Sequence, residues 1–235
     1  MSWLDKTAVE QILRLRDRFN ISTFLETGTF KGVNAKFQAQ NFKEVLTCEI
    51  SDDYLKAARE RLKDNKNVRI FKQSSPDFLR AFIEEYKKKK RKDIVFVYLD
   101  AHFYDPSLPP EEKWVVVNEL KALKGFKNCV ICIHDFDCEG LGHCCYEGQP
   151  LGWPLIREDT ARVNPSLFYY TNTRQYCEIY DEKIIAEVSG ITLDEDTLDN
   201  IRYAHSSWQK TYRGILYCTP EALDLSEFKL KKIEV

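Results

Sequence analysis

The chain contains no apolar window approaching the roughly 20 residues needed to span a bilayer. Its first residues, Met1-Ser-Trp-Leu-Asp-Lys6, lack the basic stretch and apolar core of a secretory leader. These two absences lead to the expectation of a soluble, cytoplasmic protein with no membrane partner. Excess charge of either sign is missing too: 35 Lys and Arg stand against 37 Asp and Glu, a formal net charge of -2. That balance gives no general attraction to nucleic acid, so a small-molecule ligand is expected instead. Repeats and low-complexity linkers are absent, and 235 residues with 43% apolar content suffice for one domain spanning residues 1–235. Paired C-x-x-C knuckles, the signature of structural zinc, are lacking as well. Cys138, His143, Cys144 and Cys145 are ligand types without that spacing, while Cys129 and Cys132 lie on a predicted strand and face opposite ways. Free thiols in a reducing compartment are therefore expected. Finally, no G-x-G-x-x-G follows the first strand, which argues against a nicotinamide dinucleotide.

What is present is a regular alternation. Leu4, Val9, Ile12 and Leu13 predict a helix over 4–18, and Thr23 to Glu26 a first strand. Then follow a helix over 31–40, a strand over 45–49, a helix from Ser51 to Asp64, a strand over 68–72 and a helix that starts at Ser75-Pro76. The last of these ends in the basic run Lys87 to Lys92, read as a solvated helix end that complements the dipole. Ile94 to Asp100 and Cys129 to Asp135 are nearly continuous apolar runs, the mark of parallel strands buried on both faces, with a helix over 111–124 between them. Strands alternating with helices imply an α/β fold: a Rossmann-like doubly wound sheet, mostly parallel with an antiparallel C-terminal strand, and helices on both faces. Residues 167–170, 176–180 and 214–218 read as further strands. Residues 136–165, with their glycines, prolines and cysteines, read as an irregular insertion or lid over the site, with Trp153 within it.

Ligands of such sheets sit beyond the strands' carboxyl ends. Glu26, Glu49, Asp100 and Asp135 all stand there and are expected to line one crevice. The turn Phe24-Leu-Glu-Thr-Gly-Thr-Phe-Lys-Gly32 opens it: Gly28 would let the backbone approach a ligand, and Gly32 would let the next helix pack tightly on the strand. Glu26 would add a fixed negative charge that repels a pyrophosphate and favours an ammonium or sulfonium group.

Glu26-Thr-Gly-Thr-Phe-Lys-Gly32, with Glu49 ending the second strand, is similar to the first motif of class I S-adenosylmethionine-dependent methyltransferases, E-x-G-x-G-x-G. Phe30 stands where that motif has its middle glycine, a departure shared with the catechol, sugar and small-molecule O-methyltransferase-like branch. Leu99-Asp-Ala-His-Phe103 resembles the fourth-strand ending of the same branch, and the likeness covers about residues 20–136. It implies S-adenosylmethionine as cofactor. Gly28, Thr29 and Gly32 would lie near its methionine part, Glu26 near its amino group, Glu49 on the ribose hydroxyls and Ile50 on the adenine, with Ser74 in the turn facing the adenine and Asp100 also contributing. It further implies a divalent metal such as Mg²⁺ on Asp100, His134 and Asp135, with Asp100 and His102 as catalytic residues and His102 as general base. The implied activity is methyl transfer to an oxygen of a small-molecule acceptor such as a sugar or secondary metabolite; a homo-oligomer is compatible with it. A metal-dependent hydrolase or oxygenase on the same fold, and a non-catalytic binding module, are the alternatives.

Overall fold

The structure, a computed structural model, describes residues 6–101, 107, 114–138, 145–146, 149–172 and 214–234. The elements in chain order are α1 (Lys6–Arg18), β1 (Thr23–Thr27), α2 (Val33–Gln38), β2 (Glu44–Glu49), α3 (Asp52–Leu62), β3 (Val68–Lys72), α4 (Ser75–Lys88), β4 (Val95–Leu99) and α5 (Val115–Ala122). They continue with β5 (Cys129–His134), β6 (Cys145–Tyr146), β7 (Gln149–Pro150), α6 (Trp153–Val163), β8 (Phe168–Thr171), β9 (Ile215–Thr219), α7 (Leu225–Phe228) and β10 (Lys231–Lys232).

β1, β4 and β5 are buried along their whole length, as their apolar runs demand. Alternation along each strand sends neighbours to opposite faces. Leu25 and Val97 meet Phe78, Leu79 and Leu120 of α4 and α5 on one face, together with Ile156 of α6. Phe24 and Phe96 meet Ile12, Leu15, Ala35 and Ala58 of α1, α2 and α3 on the other. The sheet order is β10-β8-β9-β5-β4-β1-β2-β3, with β1 to β5 mutually parallel. β9 runs antiparallel between β5 and β8, so β8 again points the same way as β5. The expected doubly wound, mostly parallel sheet is thus present, and its chain order reverses between β1 and β4, where a crevice opens.

Several boundaries differ for local reasons. Ser74 rather than Ser75 caps α4, its hydroxyl accepting from Asp77 N–H, with Pro76 in the first turn. Ser51 precedes α3 without a side-chain cap, and its N–H donates to Glu49 Oε1. Within the expected insertion over 136–165, Trp153–Val163 is regular, forming α6. Gly152 stands at the N-cap of α6 and Pro154 lies in its first turn, so the supposed loop signals start a helix. Leu151, Ile156 and Val163 are fully buried, and Trp153 packs on Tyr169 at 4.6 Å between ring centroids. The basic run is also less uniform than its composition suggests. Arg91 folds back to donate to Asp93 (2.6 and 3.0 Å) and to Thr23 Oγ1 (2.8 Å), and its guanidinium lies over the rings of Tyr86 and Phe82.

Cys129 and Cys132 fall on opposite faces of the sheet, as their spacing predicts. Burial pushes the Cys129 thiol up to about 12 and raises those of Cys48, Cys132 and Cys218 as well, so these are inert core residues. Among the described residues no helix is long and apolar enough to cross a membrane. The expected strand at 176–180, the start of the 111–124 helix, His102, His143 and Cys144 lie outside the described residues.

Candidate active site at the β1–β4 crevice

The turn after β1 is built by three residues at positive φ: Gly28 (77°), Phe30 (49°) and Gly32 (79°). Gly28 and Thr29 N–H groups both donate to the Cys48 carbonyl at the end of β2 (3.1 and 3.0 Å), and Gly32 N–H closes onto Thr29 O (2.8 Å). Both glycines also make room for neighbouring parts of the chain. A Cβ on Gly28 would lie 2.8 Å from the Asp100 carbonyl oxygen and 2.9 Å from Ala101 Cα, so Gly28 makes room for the chain leaving β4. A Cβ on Gly32 would lie 3.0 Å from Leu62 Cδ1, so Gly32 admits α3 rather than seating α2 on the strand. Thr29 is turned into the protein, its hydroxyl 2.5 Å from Thr47 Oγ1.

Glu49 receives three backbone donors. Its Oε1 accepts from Ile50 and Ser51 N–H (both 2.9 Å) and its Oε2 from Phe30 N–H (2.8 Å). A carboxylate offers about four acceptor positions, so one on Oε2 stays available for a ligand. Beside it Ile50 is 67% exposed, an apolar platform that no core contact explains. Ser74 donates its hydroxyl to Asp77 Oδ2 (2.5 Å) and serves the start of α4.

Glu26 is held inside the fold. It is fully buried, accepting from Asn34 Nδ2 (2.8 Å) and Thr47 Oγ1 (2.7 Å). Burial pushes its carboxyl up to about 8; the two hydrogen bonds pull back, and the charge of Asp100 pushes further up. The fixed negative charge expected of Glu26 is thus a neutral acid near pH 7 in the ligand-free protein, because desolvation outweighs two hydrogen bonds.

Glu119 of α5 escaped the sequence reading altogether. It sits on the opposite face of the sheet from Glu26, 1% exposed, with neither carboxyl oxygen completing a hydrogen bond of good geometry among the described residues. Burial pushes it up to about 7, the nearby hydroxyls of Ser75 and Thr27 pull it down, and Asp100 raises it. The one available signal was an acid within the buried stripe Val116, Val117, Leu120.

At the ends of β4 and β5 the structure brings together the three residues expected to hold a metal. His134 Nδ1 lies 3.1 Å from Asp100 Oδ1 and 3.3 Å from Asp135 Oδ1, and Asp100 N–H donates to Thr27 Oγ1 (3.1 Å). One donor atom from each of the three lies within 4.8 Å of the others, and all are buried. Burial alone would lower the His134 imidazole; the charges of Asp135 and Asp100 and their hydrogen bonds reverse this and carry it up to about 9. Its Nε2 has no hydrogen-bond partner among the described residues. Two carboxylates and an imidazole that keeps one ring nitrogen unpartnered fit a divalent cation, for which the proton on His134 is the competitor.

No protein-family model matches the chain, and no curated protein matches it in sequence. Solved structures do. An O-methyltransferase from Bacillus cereus in complex with SAH superimposes with a TM-score of 0.54 at 14% identity, over 92% of this chain and 81% of that one. The methyltransferase domain of bacterial CtHen1-C gives a TM-score of 0.52 at 13% identity, over 92% of this chain and 98% of that one. With the strand order above, these likenesses establish the fold: it is that of the class I S-adenosylmethionine-dependent methyltransferases.

Proposed function

We propose that this chain is an enzyme that transfers the methyl group of S-adenosylmethionine to an oxygen of a small-molecule acceptor, with a divalent cation on Asp100, His134 and Asp135. The observation that carries the reading is Glu49 at the end of β2, held by three backbone donors beside exposed Ile50 and tied to the positive-φ turn after β1. An acid so placed suits ribose hydroxyls, and the apolar surface next to it suits an adenine. When bound, S-adenosylmethionine supplies an electrophilic methyl group and a divalent cation supplies a Lewis acid that lowers the acceptor hydroxyl's pKa.

The chain's own residues orient and handle the proton. Gly28 keeps the turn close to the end of β4, so that the sites on β1 and β4 adjoin. Asp100 and His134 share a buried contact that fixes both side chains where an acceptor would meet the crevice. His102 is assigned as the base that takes the hydroxyl proton. Alignment of two bound reactants can supply roughly 7–11 kcal/mol of such a rate. Small-molecule acceptor and cytoplasmic location belong to the same proposal.

Calorimetric titration with S-adenosylhomocysteine is expected to show one site, with Kd in the range of roughly 1 μM to 1 mM typical of enzyme ligands. A folded protein that binds neither it nor S-adenosylmethionine sinks the reading. The Asp100–His134–Asp135 group by itself would also serve a metal-dependent hydrolase or oxygenase, and metal uptake without cofactor binding would select that alternative. In the proposed enzyme Asp100→Asn is expected to lower turnover by about 100-fold or more while leaving adenosylhomocysteine affinity within about threefold. Loss of affinity instead would move Asp100 into the cofactor site.

A further inference from the structure

Phe30 occupies a backbone conformation that a bulky side chain rarely adopts, φ +49°, at the position where the resembled motif has glycine. The turn therefore keeps the shape a glycine would allow while carrying a phenyl ring. Two side chains lie against that ring. The ring packs against Tyr54, in the first turn of α3, with centroids 4.4 Å apart at 57°, and Lys31 Nζ lies 5.8 Å from its centroid. In that conformation the Phe30 N–H points at Glu49 and donates to Oε2 at 2.8 Å.

The pair is not a core contact. Among the described residues three large hydrophobic side chains are exposed, and two of them, Ile50 (67%) and Tyr54 (42%), flank Glu49. Burial thus does not explain why an aromatic pair stands at the rim of this crevice, whereas a role toward Glu49 does. The other two donors to Glu49 come from residues that follow it directly in the chain, and both go to Oε1. Oε2, the oxygen with an acceptor position left for a ligand, is oriented by Phe30 alone among the described residues.

We infer that Phe30 and Tyr54 are positioning residues for Glu49: their stacking holds residue 30 in the left-handed conformation that delivers its N–H to Oε2, and so aims the carboxylate at the ribose diol of a nucleoside ligand. The inference rests on the methyltransferase reading and adds to it the part that sets the ribose contact. It also gives Phe30 a reason to replace a glycine. A glycine would adopt the turn without strain but would also leave it, whereas the stacked ring fixes it.

The test is calorimetric titration of S-adenosylhomocysteine, and of its 2′,3′-dideoxy analogue, into the wild type and five variants. Tyr54→Ala is expected to weaken adenosylhomocysteine about tenfold, the equivalent of one misaligned hydrogen bond to a charged group. Tyr54→Phe, which keeps the stacking, is expected to stay within about twofold. The dideoxy analogue should show no loss with Tyr54→Ala, and in a Glu49→Gln background Tyr54→Ala should have no further effect. Phe30→Gly relieves strain, so its melting temperature is expected to hold or rise while adenosylhomocysteine affinity falls; a merely structural role would lower both. Equal losses for both ligands, or unchanged affinity in Tyr54→Ala, overturn the inference and leave the methyltransferase reading intact. A wild type that binds no adenosylhomocysteine overturns that reading, and the inference with it.

Discussion

The ligand-free protein is expected to be most stable near pH 5 and to lose roughly 3–5 kcal/mol of unfolding free energy between pH 5 and pH 8. The sign follows from which state holds more protons. Burial raises Glu26 from 4.5 to about 8 and Glu119 from 4.5 to about 7, so above pH 4.5 the unfolded chain has released protons that the folded chain retains. His134, raised from 6.5 to about 9 once its two aspartates outweigh burial, acts in the same direction above pH 6.5. In each case stability is fully present below the unfolded pKa and is lost as pH rises toward the folded one. Glu26 alone corresponds to about 5 kcal/mol at 1.36 kcal/mol per unit. The groups share the field of Asp100 and do not ionise independently, which sets the smaller expected total. Urea unfolding across this pH range measures it, and stability that climbs from pH 5 to pH 8 would refute it. Glu119→Gln, which keeps the shape and removes the ionisation, should leave pH 5 stability nearly unchanged and add about 2 kcal/mol at pH 8.

Gly28→Ala is expected to destabilise the fold by about 3–4 kcal/mol, a fall of roughly 10 °C in melting temperature for a chain of this length. Two penalties combine. The φ of 77° is unfavourable for any L side chain, and the new methyl carbon would stand 2.8 Å from a backbone oxygen and 2.9 Å from a backbone carbon. Neither atom belongs to a flexible side chain, so relief requires moving β4 relative to the turn. Gly125→Ala provides the control. Its φ is 75° but nothing lies within 4 Å of the added carbon, so only the conformational penalty of about 1 kcal/mol applies. Thermal melts of the two variants separate packing from backbone strain, and equal losses would deny the close approach at Gly28 any energetic weight.

The central sheet was readable in the sequence because β1, β2, β4 and β5 are apolar runs that each lead into an acid, and a strand buried on both faces has no polar side to blur the pattern. The site acids were readable for the same reason, since register in a parallel sheet brings strand ends together. What surrounds them was not. The neighbour that Gly28 must avoid belongs to β4, far along the chain, and a local motif cannot name it. Glu119 looks like any helix acid until the packing of α5 on the sheet removes its water. The protonation of Glu26 is likewise a property of its burial rather than of its motif. In α6 a glycine and a proline read locally as loop signals, though the same residues open helices when they sit at the N-cap and first turn.

One carbonyl at the end of β2 has a consequence for how fast the crevice can fill. Because Cys48 O accepts from the amides of both Gly28 and Thr29, the first half of the turn is hydrogen-bonded before any ligand arrives, and the stacked Phe30 holds the second. A ligand arriving there meets a preorganised surface, and the entropy of ordering that loop belongs to folding and not to association. The Gly28 and Thr29 amides need no rearrangement to present the turn, so on their side capture is expected to be limited by encounter and orientation.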